Sequence, residues 1–228
     1  MKSKQIAKAI CMEDVKIIPF QELAKLIDHY PKGHKYRTCV LWLALTGARV
    51  CEIEHRSFDE IMGKYWIWKP RKKQRGVRKE KLPDWFWEEF QRYLDTHAYK
   101  RKDVFGIKAR SLSRKINNVR DDLGGEWKTM VPVFGEGRGG VVRWEHLYKL
   151  KNVRHNYVTL EHYKLSEKYG GDVAVSLLAR RMRHSTHHMT ASHYIEKYDA
   201  LGAEKYSNST IAEIMSQSVN QHKITEWF

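Results

Sequence analysis

Along "PFQELAKLIDHY", Leu23, Leu26, Ile27 and Tyr30 recur at intervals of three and four, which predicts an amphipathic helix opening near Pro19. "YRTCVLWLALTGARVCEI" is apolar at most positions and predicts a buried helix that stops near Gly47. The pattern then changes: "KYWIWKPRKKQRGVRKEKLP" has aromatic and β-branched residues, a basic turn containing Gly76, and a charged stretch ending at Pro83. That order predicts a β-hairpin with a cationic tip. Helical spacing returns in "PDWFWEEFQRYL", with Asp84 as the expected cap and Trp87, Phe90 and Leu94 as one stripe.

Beyond it, "ARSLSRKINNVRDDL", "EHLYKLKNVRHNYVTLEHY" and "DVAVSLLARRMRH" predict further helices, the last capped by Asp172 after a break at Gly170 and Gly171. The intervening "FGEGRGG" matches G-x-G-x-x-G at Gly135, Gly137 and Gly140. A dinucleotide fingerprint needs a preceding parallel strand and an acidic residue about 20 positions on; neither is evident, so the stretch is read as a turn. A last amphipathic stretch, "STIAEIMSQSV", carries Ile211, Ile214 and Met215 on one face. Residues 1–18 have mixed charge and no sustained period, and are read as an N-terminal arm or linker. The sum is a mainly α fold with a small antiparallel β-hairpin sheet, in one domain.

Composition adds the partner. Lysine and arginine number 42 against 27 aspartate and glutamate, a formal charge of +15 that favours a polyanion, most often nucleic acid. Three cysteines, Cys11, Cys39 and Cys51, cannot close a disulfide framework, which implies a reducing, intracellular setting. "VLWLALTGARV" is too short to span a bilayer and "MKSKQIAKAICMED" lacks an apolar signal core, so no membrane partner is expected.

Four elements could carry chemistry: Arg49, the lysines of the hairpin tip, the pair Lys151 and Arg154 in "KNVRHNYVT", and "RHSTHHMTASHYIEKY". A phosphodiester in transfer needs fixed donors for its non-bridging oxygens, and planar arginines such as Arg49 and Arg154 suit it. A leaving oxygen needs a proton, which Lys72 or Lys73 could give. A covalent route needs a hydroxyl, and Tyr194 lies ten residues after His184. The bland reading of each is a solvated surface cation. His184 and His188, at i and i+4 with His187 and His193 near, could also suggest a metal hydrolase, but no convincing nearby carboxylate ligand and no H-E-x-x-H pattern accompany them.

Taken in order, these elements resemble the catalytic domain of the tyrosine recombinases, the integrase family. Its first box, T-G-x-R-x-x-E-[LI], is met by Thr46, Gly47, Arg49, Glu52 and Ile53 of "TGARVCEI". Its second, H-x-x-R-H, is met by "KNVRH" with Lys151 in the first histidine's place; its third, L-G-H-S followed by a tyrosine, is similar to "MRHSTHHMTASHY" with Arg183 in the glycine's place and one extra residue before Tyr194. The lysine resembles the archaeal viral and plasmid branch of integrases. The resemblance implies residues 19–206 as a tyrosine recombinase/topoisomerase IB-like catalytic domain, with 207–228 as a tail helix that can dock on a neighbouring subunit. The family's upstream DNA-clamping domain has no room in residues 1–18, so the chain is expected to be the catalytic part.

The resemblance further implies that Tyr194 is the nucleophile, giving a 3′-phosphotyrosyl link. Arg49, Lys151, Arg154 and His184 would surround the phosphate, with Glu52 and His155 in support and a hairpin lysine as acid: Lys73 first, then Lys72 and Lys69. Lys69, Arg71, Lys72 and Arg75 would hold DNA. The expected partners are double-stranded attachment sites and further copies of the chain, a tetramer on DNA; no metal, nucleotide or other cofactor is implied. The competing readings are a topoisomerase IB-like nicking and closing enzyme and a non-catalytic basic DNA-binding protein.

Overall fold

A helix with apolar residues on every side must lie at the centre of its domain, and Lys35–Thr46 does. The computed structural model describes residues 17–68, 77–97, 103–134 and 141–182. The helices are α1 (Phe20–Asp28), α2 (Lys35–Thr46), α3 (Asp84–Thr96), α4 (Ala109–Asn118), α5 (Arg120–Leu123), α6 (Val153–Tyr169) and α7 (Gly171–Met182). Three short antiparallel strands form one sheet in the order β1 (Ile61–Met62), β2 (Tyr65–Trp68), β3 (Arg78–Lys81). A separate antiparallel pair comprises β4 (Met130–Phe134) and β5 (Val141–His146).

α2 is covered by α1, α3 and α6. Trp42 on α2, Trp66 on β2, Phe90 on α3 and Phe105 pack together, with Trp66 and Phe105 stacked at 5.6 Å between centroids. Such aromatic pairs add about 1 kcal/mol each beyond their area burial. The charged end of α2 is also buried: Arg37 Nε donates to Glu89 Oε1 on α3 at 2.7 Å and Nη1 to Ile27 O and Asp28 Oδ1 on α1, both at 2.8 Å. Asn156 on α6 accepts from Ile18 N at 3.0 Å and donates to Ile18 O, so Ile17 and Ile18, read as the end of the arm, are core residues.

Several expectations shift. Asp84 is the first residue of α3, after an N-cap at Pro83, and its carboxylate pairs with Lys64 at 2.7 Å instead of capping. The inward residues of α3 are Phe86, Glu89, Phe90 and Tyr93, with Trp87 and Leu94 at the margin. Asp172 lies inside the first turn of α7, which starts at Gly171. The run "ARSLSRKINNVRDDL" breaks at Val119 into α4 and α5. Glu145 and His146 belong to β5, not to a helix, and α6 starts only at Val153. The Gly135 to Gly140 loop lies outside the described residues, but its flanking strands are antiparallel neighbours, so no βαβ unit surrounds it. Among the described residues no helix is long and apolar enough to cross a membrane.

α2 ends at Gly47, which adopts the left-handed conformation (φ 59°) and donates its N–H to Leu43 O at 2.8 Å. A Cβ there would lie 2.3 Å from Tyr157 Cδ1. Gly47→Ala is therefore expected to destabilise the protein by about 3 kcal/mol or more, the sum of left-handed strain and a clash with a buried ring. Urea unfolding monitored by tryptophan fluorescence measures it.

Candidate active site

The peptide following α2 carries the first group of functional candidates. Thr46 Oγ1 donates to Trp42 O at 2.6 Å and accepts from Ala48 N, which closes the helix end. A 3₁₀ turn, Val50–Ile53, then begins, and Glu52 in it folds back on Arg49. Glu52 Oε2 accepts the Arg49 main-chain N–H at 2.8 Å, and its Oε1 lies 3.7 Å from Arg49 Nη1. The Glu52 side chain is 9% exposed and that of Arg49 33%, so a buried carboxylate holds the base of an arginine whose head reaches solvent.

Arg154, in the first turn of α6, is in a different situation. It is buried; its Nη1 donates to Gly47 O at 2.6 Å and its Nη2 to Met182 O at 3.1 Å. One guanidinium thus joins the end of α2 to the end of α7. His155 beside it is half-buried. Lys151 precedes both in a 3₁₀ turn, Leu150–Asn152, ahead of α6, and is exposed where Arg154 is buried. Partial desolvation and the cations Lys149 and Arg143 hold its ammonium below the usual lysine value, against the pull of Glu145.

Between these lies a charge cluster that the sequence did not announce. Glu80 on β3 accepts at Oε1 from Arg78 Nε at 2.9 Å and from Arg181 Nε on α7 at 2.8 Å; its Oε2 accepts from Arg181 Nη2. Arg78 Nη2 donates to Thr46 O, and Arg181 Nη1 to Glu161 Oε2 at 2.6 Å. Both guanidinium carbons lie over the Tyr157 ring, at 5.7 and 5.6 Å. Burial pushes the Glu80 carboxyl up, but the Arg181 hydrogen bonds and the charges of Arg78 and Arg181 outweigh it and hold the group below its usual 4.5. Tyr157 is itself buried, and its hydroxyl is pushed above the usual tyrosine value, first by desolvation and then by Glu80 and Glu161.

Of the predicted residues, Arg49, Glu52 and Arg154 converge on the segment 47–52, while Lys151 stands at the surface on the approach to α6. Lys69, Arg71, Lys72, Lys73, Arg75, His184 and Tyr194 lie outside the described residues, as do His187, His188 and His193. Among the described residues no group of three or more histidine, cysteine, aspartate or glutamate side chains is arranged to hold a metal. Arg78, Glu80 and Arg181 escaped the sequence reading; the one signal, for Arg78 and Glu80, was a strand, "RKEK", with no apolar residue to turn inward.

No protein-family model matches the sequence, and no curated protein does. Among solved structures, the chain is similar to the crystal structure of XerA recombinase, at 16% identity and a TM-score of 0.57 over 84% of this chain and 64% of that one. This chain therefore spans less than two thirds of that protein's length. A further likeness, at 16% identity and a TM-score of 0.47, covers 86% of this chain and 67% of the Tn1549 transposon integrase, solved in complex with transposon right end DNA. The fold, mostly helical with small antiparallel sheets, is similar to that of the XerA recombinase.

The two arginines should separate in a denaturation experiment. Arg154→Ala strands two buried carbonyls and is expected to lower stability by about 2–4 kcal/mol, whereas Arg49→Ala should change it by less than about 1 kcal/mol. Glu80 adds a pH dependence. Its folded value is depressed, so its contribution is complete above about pH 4.5 and is lost as pH falls through that folded value. Glu80→Gln should flatten the stability curve in that acid window, as read from melting temperatures at stepped pH.

Proposed function

We propose that this protein is a site-specific DNA recombinase that cleaves and rejoins strands through a covalent 3′-phosphotyrosyl intermediate. The observation that carries the proposal is the hydrogen bond from Arg154 to Gly47 O, which unites the "TGARVCEI" and "KNVRH" motifs in one place within a tyrosine recombinase fold. Tyr194 would attack the phosphorus as its proton departs towards His184. The bond to the 5′-oxygen breaks, and a hairpin lysine, Lys73 by sequence position, protonates that leaving oxygen. The 5′-hydroxyl of a partner strand then attacks the phosphotyrosine and frees Tyr194. One phosphodiester is exchanged for another, so the step needs no nucleotide hydrolysis.

Arg49 offers its guanidinium to the non-bridging oxygens, steadied by Glu52, while Arg154 supplies a fixed positive charge and His155 backs it. Lys151, with its proton held less tightly than usual, is a second source of positive charge or a proton near the phosphate. Its occurrence in the place of a histidine supports an archaeal viral or plasmid integrase. We infer double-stranded attachment sites as substrate, gripped through Lys69, Arg71, Lys72 and Arg75, and a tetramer assembled on DNA. In that assembly residues 19–206 form the catalytic unit and the tail, 207–228, docks on a neighbour; the protein works inside the cell on host DNA.

Incubating the chain with nicked suicide duplexes that carry element–host junction sequence, followed by a denaturing gel and peptide mapping, tests the reading. A covalent adduct on Tyr194 is expected; an adduct on Tyr198, or none, would contradict it. Arg49→Ala should slow adduct formation by roughly two orders of magnitude, as for a lost oxyanion donor, with DNA affinity changed far less. Arg49→Lys should recover little of the rate, because the bidentate fork is gone.

A further inference from the structure

The cluster around Glu80 joins two parts of the chain that the proposed reaction must keep in step. Arg78 follows Lys73 by five residues, and Arg181 precedes His184 by three. Between them stands one carboxylate, 4% exposed, that accepts from both arginines. We propose that Glu80 is a positioning residue for strand cleavage: it fixes the register between the strand leaving the basic hairpin and the helix leading to His184 and Tyr194. This inference rests on the recombinase reading.

Removing a carboxylate and guanidinium groups from water costs several kcal/mol, and apolar side chains of similar volume would give as much stability. An apolar contact, however, tolerates sliding. Arg181 grips Glu80 with both Nε and Nη2 and reaches Glu161 with Nη1, so that three bonds from one planar fork set the position of α7 against β3 and α6. Arg78 extends the lock to Thr46 O, and Arg154 closes it from Met182 O back to Gly47 O, next to Arg49. A displacement of about 1 Å in such a frame can cost two orders of magnitude in rate without touching the substrate.

The test is single-turnover cleavage of the nicked suicide duplex by the full chain, with DNA affinity measured in parallel, well below each variant's melting temperature. Glu80→Gln is expected to slow cleavage about tenfold or more while Kd moves less than about twofold. Arg181→Lys, which keeps the charge but loses the fork, should do the same and carries the test if Glu80→Gln does not fold. The double variant E80Q/R181K should be no slower than the slower single one, since both break one connection. A purely structural Glu80 predicts a lower melting temperature with an unchanged rate per folded molecule. That outcome, or equal losses of rate and affinity, overturns the inference. A parent chain that forms no adduct overturns the recombinase reading itself, and this inference with it; a parent that cleaves while both single variants cleave equally well sinks this inference alone.

Discussion

The last carbonyl groups of α2 run out of the N–H groups that a continuing helix would supply, and they lie among buried residues. Every residue from Arg37 to Thr46 is buried, so the helix ends inside the protein, where an unsatisfied carbonyl costs about 1–3 kcal/mol. The chain meets this need from four directions. Thr46 Oγ1 bonds Trp42 O, Gly47 N bonds Leu43 O, Arg78 from β3 bonds Thr46 O, and Arg154 from α6 bonds Gly47 O. Two of the donors are arginines from distant segments, so satisfying one helix end also fixes where the sheet and the later helices lie. Gly47 is required for the same reason: the Tyr157 ring occupies the space that a side chain would need.

This constraint also explains how a site for an anion could arise there. Arginines that cap a buried helix bring positive charge to its end, and the chain leaves toward the surface at Arg49 with Glu52 holding its base. The surplus of charge is balanced locally by Glu80 and Glu161, which take the forks of Arg78 and Arg181. The structural cations Arg78 and Arg181 and the proposed catalytic Arg154 therefore form one connected frame. Arg154 belongs to both groups, bonded to two backbone carbonyls and carrying the charge that the proposed reaction would use.

What could be read from the sequence was whatever depended on apolar period or on a short motif. α1 and α2 followed from spacing and from the stop at Gly47, and the hairpin strands β2 and β3 from the aromatic run and the turn residues. The β4–β5 pair was missed because it has no alternation to detect: Val131 is buried, Trp144 opposite Pro132 is 60% exposed, and valines occur on both strands. Without that strand, Glu145 and His146 passed as the start of a helix, and Lys151 as part of a helix that begins only at Val153. Arg78 and Glu80 were illegible for another reason. Period-2 logic assumes that the inward residues are apolar, and in "RKEK" the inward pair is a cation and an anion whose partners lie far away in sequence.

The donors at the end of α2 are expected to act as one unit. A double-mutant cycle between Arg78→Met and Arg154→Met, read as unfolding free energy in urea, tests it most directly. The two arginines bond successive carbonyls, Thr46 O and Gly47 O, from β3 and α6. A coupling energy above about 1 kcal/mol is predicted, because either loss releases the helix end that the other holds. Additive effects within about 0.5 kcal/mol would show two independent caps and contradict the account.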